Sequence, residues 1–75
     1  MTLTTTKINT GYYKVNEIEQ DTYVSKSMDD KGIWIVSCDD LNTVSKWNSK
    51  KECIQYLYSV IFECGNYDGY KIKGN

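Results

Sequence analysis

Hydrophobic and polar positions alternate along the first two thirds of the chain, which predicts strands joined by short polar turns. The strongest run is Ile33-Trp34-Ile35-Val36-Ser37-Cys38. Successive side chains of a strand point to opposite faces, so Trp34, Val36 and Cys38 share one face and Ile33 and Ile35 the other. Both faces are apolar at its start, as in a central strand. Upstream, Gly11 to Glu19 sets Tyr13, Val15 and Glu17 on one face, with Tyr12, Lys14, Asn16 and Ile18 on the other. A short strand, Thr22 to Ser27, follows the Gln20-Asp21 turn. Downstream, Thr43 to Trp47 reads as a fourth strand. Asp29-Asp30-Lys31-Gly32 and Asp39-Asp40-Leu41-Asn42 read as the turns on either side of the central run.

The period then changes from two to that of a helix. Cys53, Leu57, Val60 and Cys64 repeat on one helical face, widened by Ile54 and Ile61. Ser49-Lys50-Lys51-Glu52 matches a capping box, in which the serine hydroxyl accepts from the third backbone N–H and the glutamate reaches back. Gly65 supplies a stop, so the spacing predicts a helix over 49–64. The tail, with Tyr70-Lys71-Ile72-Lys73, reads as a last short edge strand.

The predicted fold class is therefore α+β. A small antiparallel β-sheet of three to five strands, in β-β-β-β-α order, packs on one C-terminal helix. Residues 1–10 are expected to form a loose N-terminal segment or an edge strand, and 11–75 the single domain. One helix covers only one face of such a sheet, which leaves Ile33 and Ile35 facing water or a partner.

Composition narrows the functional classes. The chain has 75 residues and three cysteines, with no His and no Arg; all nine of its basic residues are Lys. A domain this small has a thin core, which gives added weight to any partner or oligomer. Without His there is no Ser-His or Cys-His nucleophile pair and no mixed Cys/His zinc site within the chain. Ser-Lys neighbours at 25–26 and 49–50 lack the desolvated pocket that a nucleophile needs. The Asp29-Asp30 and Asp39-Asp40 pairs match no calcium loop. The reading is non-enzymatic, with no metal and no cofactor. Cys38, Cys53 and Cys64 have no metal-ligand spacing, no basic and apolar leader precedes them, and no apolar run reaches bilayer length. Buried free thiols in a reducing cytoplasm, with no membrane partner, are expected.

Charge and aromatic content point to a binding surface. The net charge is −1 and the chain holds seven Tyr, two Trp and one Phe. Tyr and Trp are enriched at binding hot spots, and one sheet face with one helix face cannot hide all ten. Tyr12, Tyr56, Tyr58 and Tyr67 are the expected accessible ones. Together with Ile33 and Ile35, and with Asp29, Asp30, Asp39 and Asp40 as contacts to basic surfaces, they form the candidate protein-binding set. The abundance of Lys, Asn, Ile and Tyr beside the lack of Arg, Ala and Pro reflects AT-rich coding. This suits an accessory protein of a phage or mobile element. The expected function is surface occlusion of a protein partner, such as a host enzyme or defence complex, in the manner of an anti-CRISPR-type anti-defence protein. A homodimer closed through the open sheet face is another way to cover it. The alternative is a small nucleic-acid-binding or transcription-regulating module using Lys46, Lys50 and Lys51 near the helix start.

Overall fold

The computed structural model describes residues 2–65 and 69–74. Five antiparallel strands form one meander in sequence order: β1 (Thr5–Asn9), β2 (Tyr12–Val15), β3 (Thr22–Lys26), β4 (Trp34–Cys38) and β5 (Thr43–Trp47). The helix α1 (Lys50–Tyr58) follows, continued by a π-helical turn over Ser59–Glu63. This is the α+β architecture that the alternating pattern predicts. The additional strand is N-terminal: β1 pairs with β2 and has an irregular register between Lys7 and Asn9. The β1–β2 turn needs Gly11. Its φ is 69°, and a Cβ there would stand 3.2 Å from the Lys26 Cβ.

The acidic pairs close turns. In the β3–β4 connection the Ser27 hydroxyl accepts from the Asp29 and Asp30 amides at 3.3 and 3.1 Å. The Ile33 amide donates to the Asp30 carbonyl. In the β4–β5 connection the Asn42 amide donates to the Asp39 carbonyl at 3.2 Å. Short polar side chains that bind nearby backbone groups favour such turns over a continued ladder.

The core lies between the inner sheet face and α1. Val15, Val24, Val36, Cys38, Cys53 and Leu57 are almost wholly buried, and Val60 nearly so. Trp34 and Trp47 are cross-strand neighbours on the same face. They pack at the core margin, Trp34 beside Tyr13 and Trp47 beside Tyr56. Burying a Leu or Val side chain stabilises a fold by about 1.5–3 kcal/mol, so this small set carries much of the stability. The helix start is capped as predicted, with a twist in the return bond. The Glu52 amide donates to Ser49 Oγ at 3.1 Å, and Glu52 Oε2 accepts from Asn48, one residue before the cap.

Three expectations are corrected. The regular helix ends at Tyr58 and a π turn, closed by the Cys64 amide on the Ser59 carbonyl, carries the chain on. A wider turn breaks the 3.6-residue spacing, so Cys64 leaves the apolar face and is exposed, unlike the buried Cys38 and Cys53. Ile18 does not stand on the face opposite Val15. β2 ends at Val15, and Ile18 turns into the core, fully buried. The tail is not a solvent-facing edge strand: Ile72 forms a single bridge with Ile18. The Gln20 side chain donates to the Gly69 carbonyl and accepts from the Lys71 amide. Tyr70 is thereby seated in the core, completely buried, with its hydroxyl 3.0 Å from Thr43 Oγ1.

Candidate functional site

Strand alternation and register together build the face that α1 does not cover. Val24, Val36 and Cys38 point inward, so their neighbours point outward. The register sets Tyr12, Ser25, Ile35 and Lys46 in one cross-strand row. Lys14, Tyr23, Ser37 and Val44 form the next. Tyr12 and Tyr23 meet across the rows edge to face, with ring centroids 5.1 Å apart. That arrangement is favoured by the ring quadrupoles. Val44 is 70% exposed and Tyr12 39%, while Tyr23 and Ile35 are half-buried. At the end of the face next to Gly11, a shallow groove of about 400 Å³ has Tyr12, Ile35, Met28 and Asp29 among its walls.

Both lysines of this face have acidic neighbours. Lys14 Nζ lies 3.1 Å from Asp21, and Lys46 Nζ lies 3.9 Å from Asp30. The hydrogen bond from Lys14 to Asp21, reinforced by the carboxylate's charge, holds the ammonium pKa above its ordinary value. The outer face is thus an aromatic and aliphatic centre whose cations are locally balanced.

The predicted site residues divide between two sides of the molecule. Tyr12 and Ile35 meet on the outer sheet face, and Ile33, just before β4, continues Ile35's side by alternation. Asp29 and Asp30 lie in the turn at one end of the sheet. Asp39 and Asp40, both exposed, lie in the turn at the other end, where Asp40 accepts from the Asp21 amide. Tyr56 and Tyr58 stand on the helix. Tyr56 packs against Trp47 at 5.0 Å and is half-buried, while Tyr58 is exposed and meets Phe62 at a tilt, with ring centroids 4.8 Å apart. Tyr67 lies outside the described residues. The three candidate lysines do not converge. Lys46 is on the outer face, Lys50 sits 3.8 Å over the Tyr13 ring, and Lys51 is exposed on α1. Tyr23, Val44 and Met28 were not among the predicted contacts, although the same alternation places Tyr23 and Val44 beside Tyr12 and Ile35 once the register is known.

A second groove, of about 600 Å³, runs between the N-terminal arm and the helix, with Leu3, Ile54, Tyr58 and Glu63 among its walls. Of the predicted contacts it holds only Tyr58. Cys53, on the same helix, does not line the groove and is buried; burial, then the Glu52 charge, pushes its pKa up to about 11, which disfavours the thiolate. Among the described residues no group of three or more His, Cys, Asp or Glu is placed to hold a metal ion. No helix among them is long and apolar enough to cross a membrane. No protein-family model, curated protein or solved structure matches the chain.

Proposed function

We propose that this chain is a small non-enzymatic protein-binding module that works by occlusion, and that it holds its partner on the helix-free face of the sheet. The observation that carries this reading is the pair of cross-strand rows in which Tyr12, Tyr23, Ile35 and Val44 meet with no element of the described chain above them. Rigid aromatic side chains on a rigid sheet offer contact area at low entropic cost. Five strands at about 4.8 Å and five residues at about 3.3 Å give a projected face of roughly 400 Å². A stable interface buries about 800 Å² per partner, so the acidic turns at both ends have to join it. The matching partner surface is apolar at its centre and basic at its rim. A host enzyme or defence complex blocked by a phage or mobile-element protein is the concrete form that AT-rich coding suits.

The alternative, a nucleic-acid module, draws on the Tyr12–Tyr23 pair beside Lys14 and Lys46, since bases stack on aromatic platforms flanked by cations. The carboxylates beside both lysines weigh against it. Affinity capture from the native host with wild-type, Tyr12→Ala/Ile35→Lys and Tyr58→Ala chains tests the reading. The double change is expected to lower partner affinity at least about tenfold, with Tyr58→Ala near wild type. A captured partner held equally by the double variant overturns it. Nucleic acid as the captured species, with affinity that collapses between about 50 and 200 mM salt, assigns the face to nucleic acid instead.

A further inference from the structure

The two edges of the sheet differ in how they meet a second strand. β1 is guarded. Its central residue is Lys7, and antiparallel self-pairing about that residue sets Lys7 against Lys7 of another copy, a like-charge pair. Its register is also irregular between Lys7 and Asn9, which spoils a straight template. β5 lacks both devices. Its five residues pair with β4 without irregularity, and β5 is the last strand in the sheet order. Among the described residues, no backbone hydrogen bond reaches Thr43–Trp47 from outside β4. The edge is rich in β-branched and aromatic residues, and it carries Lys46 off-centre.

We infer that β5 pairs with β5 of a second copy, antiparallel about Ser45, joining the two five-stranded sheets into one. A closed two-fold requires that the strands run antiparallel. In this register Thr43 opposes Trp47, Ser45 opposes Ser45, and Val44 opposes Lys46. The strand's one charge therefore meets a valine and never its own mate. Lys46 keeps Asp30 as its neighbour within the protomer. The β5 backbone groups that bond to no other described residue gain a ladder, which is the device by which exposed edges take up further strands. The pairing also sets two outer faces side by side. Their combined projection of roughly 800 Å² matches the contribution of one partner to a standard interface. The inference rests on the edge alone and stands whether or not the outer face binds a protein.

The experiment is sedimentation equilibrium of the isolated chain over roughly 1 µM to 1 mM, with four variants. Wild type is expected to dimerise. Val44→Lys sets the introduced ammonium against Lys46 of the other copy twice over and loosens the dimer about tenfold or more. Val44→Glu creates two opposite-charge pairs and tightens it. Val44→Lys/Lys46→Glu restores affinity to within about threefold of wild type. Tyr12→Ala, on the outer face and remote from the edge, leaves the dimer unchanged. A wild-type chain that stays monomeric throughout overturns the inference. So do Val44→Lys and Val44→Glu acting in the same direction, a double variant that fails to restore, or a dimer that Tyr12→Ala dissolves.

Discussion

The two faces of the sheet are made by the same strands, yet they are furnished differently. Inward, between the margins, stand Val15, Val24, Val36, Cys38 and Thr22, all close-packed and nearly or fully buried. Outward stand Tyr12, Tyr23, Ile35 and Val44, interleaved with Lys14, Lys46 and two serines. Compact side chains let α1 approach the sheet closely, and large aromatics are pushed to the margin of that contact. Tyr13, Trp34, Trp47 and Tyr56 stand there in two tilted ring pairs. The outer face is under no such packing constraint, and its aromatics serve no interior. The difference teaches that the aromatics on the sheet's two faces have two separate causes: a thin core that needs large residues at its rim, and a face with no cover.

Truncations should separate these causes sharply. The largest effect belongs to Tyr70, which fills the inner layer from the tail. Tyr70→Ala removes a fully buried ring and strands Thr43's hydroxyl. A loss of about 3–5 kcal/mol is expected in denaturant unfolding, by analogy with other buried aromatics. In a domain of this size that is enough to populate the unfolded state without denaturant. Leu57→Ala on α1 should cost about 3 kcal/mol. Val44→Thr on the outer face, measured in dilute protein, should stay within about 0.5 kcal/mol. A cost at Val44 comparable with that at Leu57 would mean that the outer face is packed after all, and the contrast between the faces would be lost.

The inner layer was only partly legible in the amino-acid sequence, and the reasons are local. β4, β5 and the helix start were readable because each carries its own signal: alternation in the strands and Ser49-x-x-Glu52 at the cap. β1 carries almost none. Thr5-Thr6-Lys7-Ile8-Asn9 is an edge strand whose side chains are mostly exposed, and its conformation comes from pairing with β2. Tyr70 and Ile72 were invisible as core because their burial is non-local. It depends on Gln20 and on the main chain at 17–19 clamping the tail. The helix pattern misplaced Cys64 because it assumed a constant 3.6-residue turn through a segment that widens to a π turn.

The outer face was legible at Tyr12 and Ile35, where alternation alone fixes the side. Its other half needed the register. Tyr23 belongs beside Tyr12 only because Tyr12 pairs with Ser25, and Val44 joins them only because it pairs with Ser37. The candidate set drawn from aromatic content therefore mixed two surfaces, with Tyr58 on the helix and Tyr12 on the sheet. A one-dimensional pattern reports which residues are large; strand pairing decides which of them meet.

The smallest expected effect concerns the seam between the inner layer and the N-terminal arm. Leu3 is buried in the core, and the next residue is held by Glu17. The Thr4 amide donates to Glu17 Oε1 at 2.6 Å, and the Thr4 hydroxyl donates to Oε2. Burial alone pushes the Glu17 carboxyl pKa up. The two Thr4 hydrogen bonds, a backbone bond and the charge of Lys73 outweigh it, so the native pKa lies below the ordinary 4.5. A carboxylate with a depressed native pKa adds stability that is fully present above its unfolded value. That stability is lost as pH falls through the native one. Wild type should therefore exceed Glu17→Gln in stability at neutral pH, and the gap should close as pH drops below about 4.5. The measurement is the difference between the two chains' unfolding midpoints across pH, because the other carboxylates titrate in both and cancel. The protection factor of the Thr4 amide, its rate corrected for the intrinsic slowing of exchange in acid, should fall over the same range while the β3–β4 ladder stays protected. A gap that stays constant with pH would show that the arm is held by Leu3's burial and not by the Glu17 carboxylate.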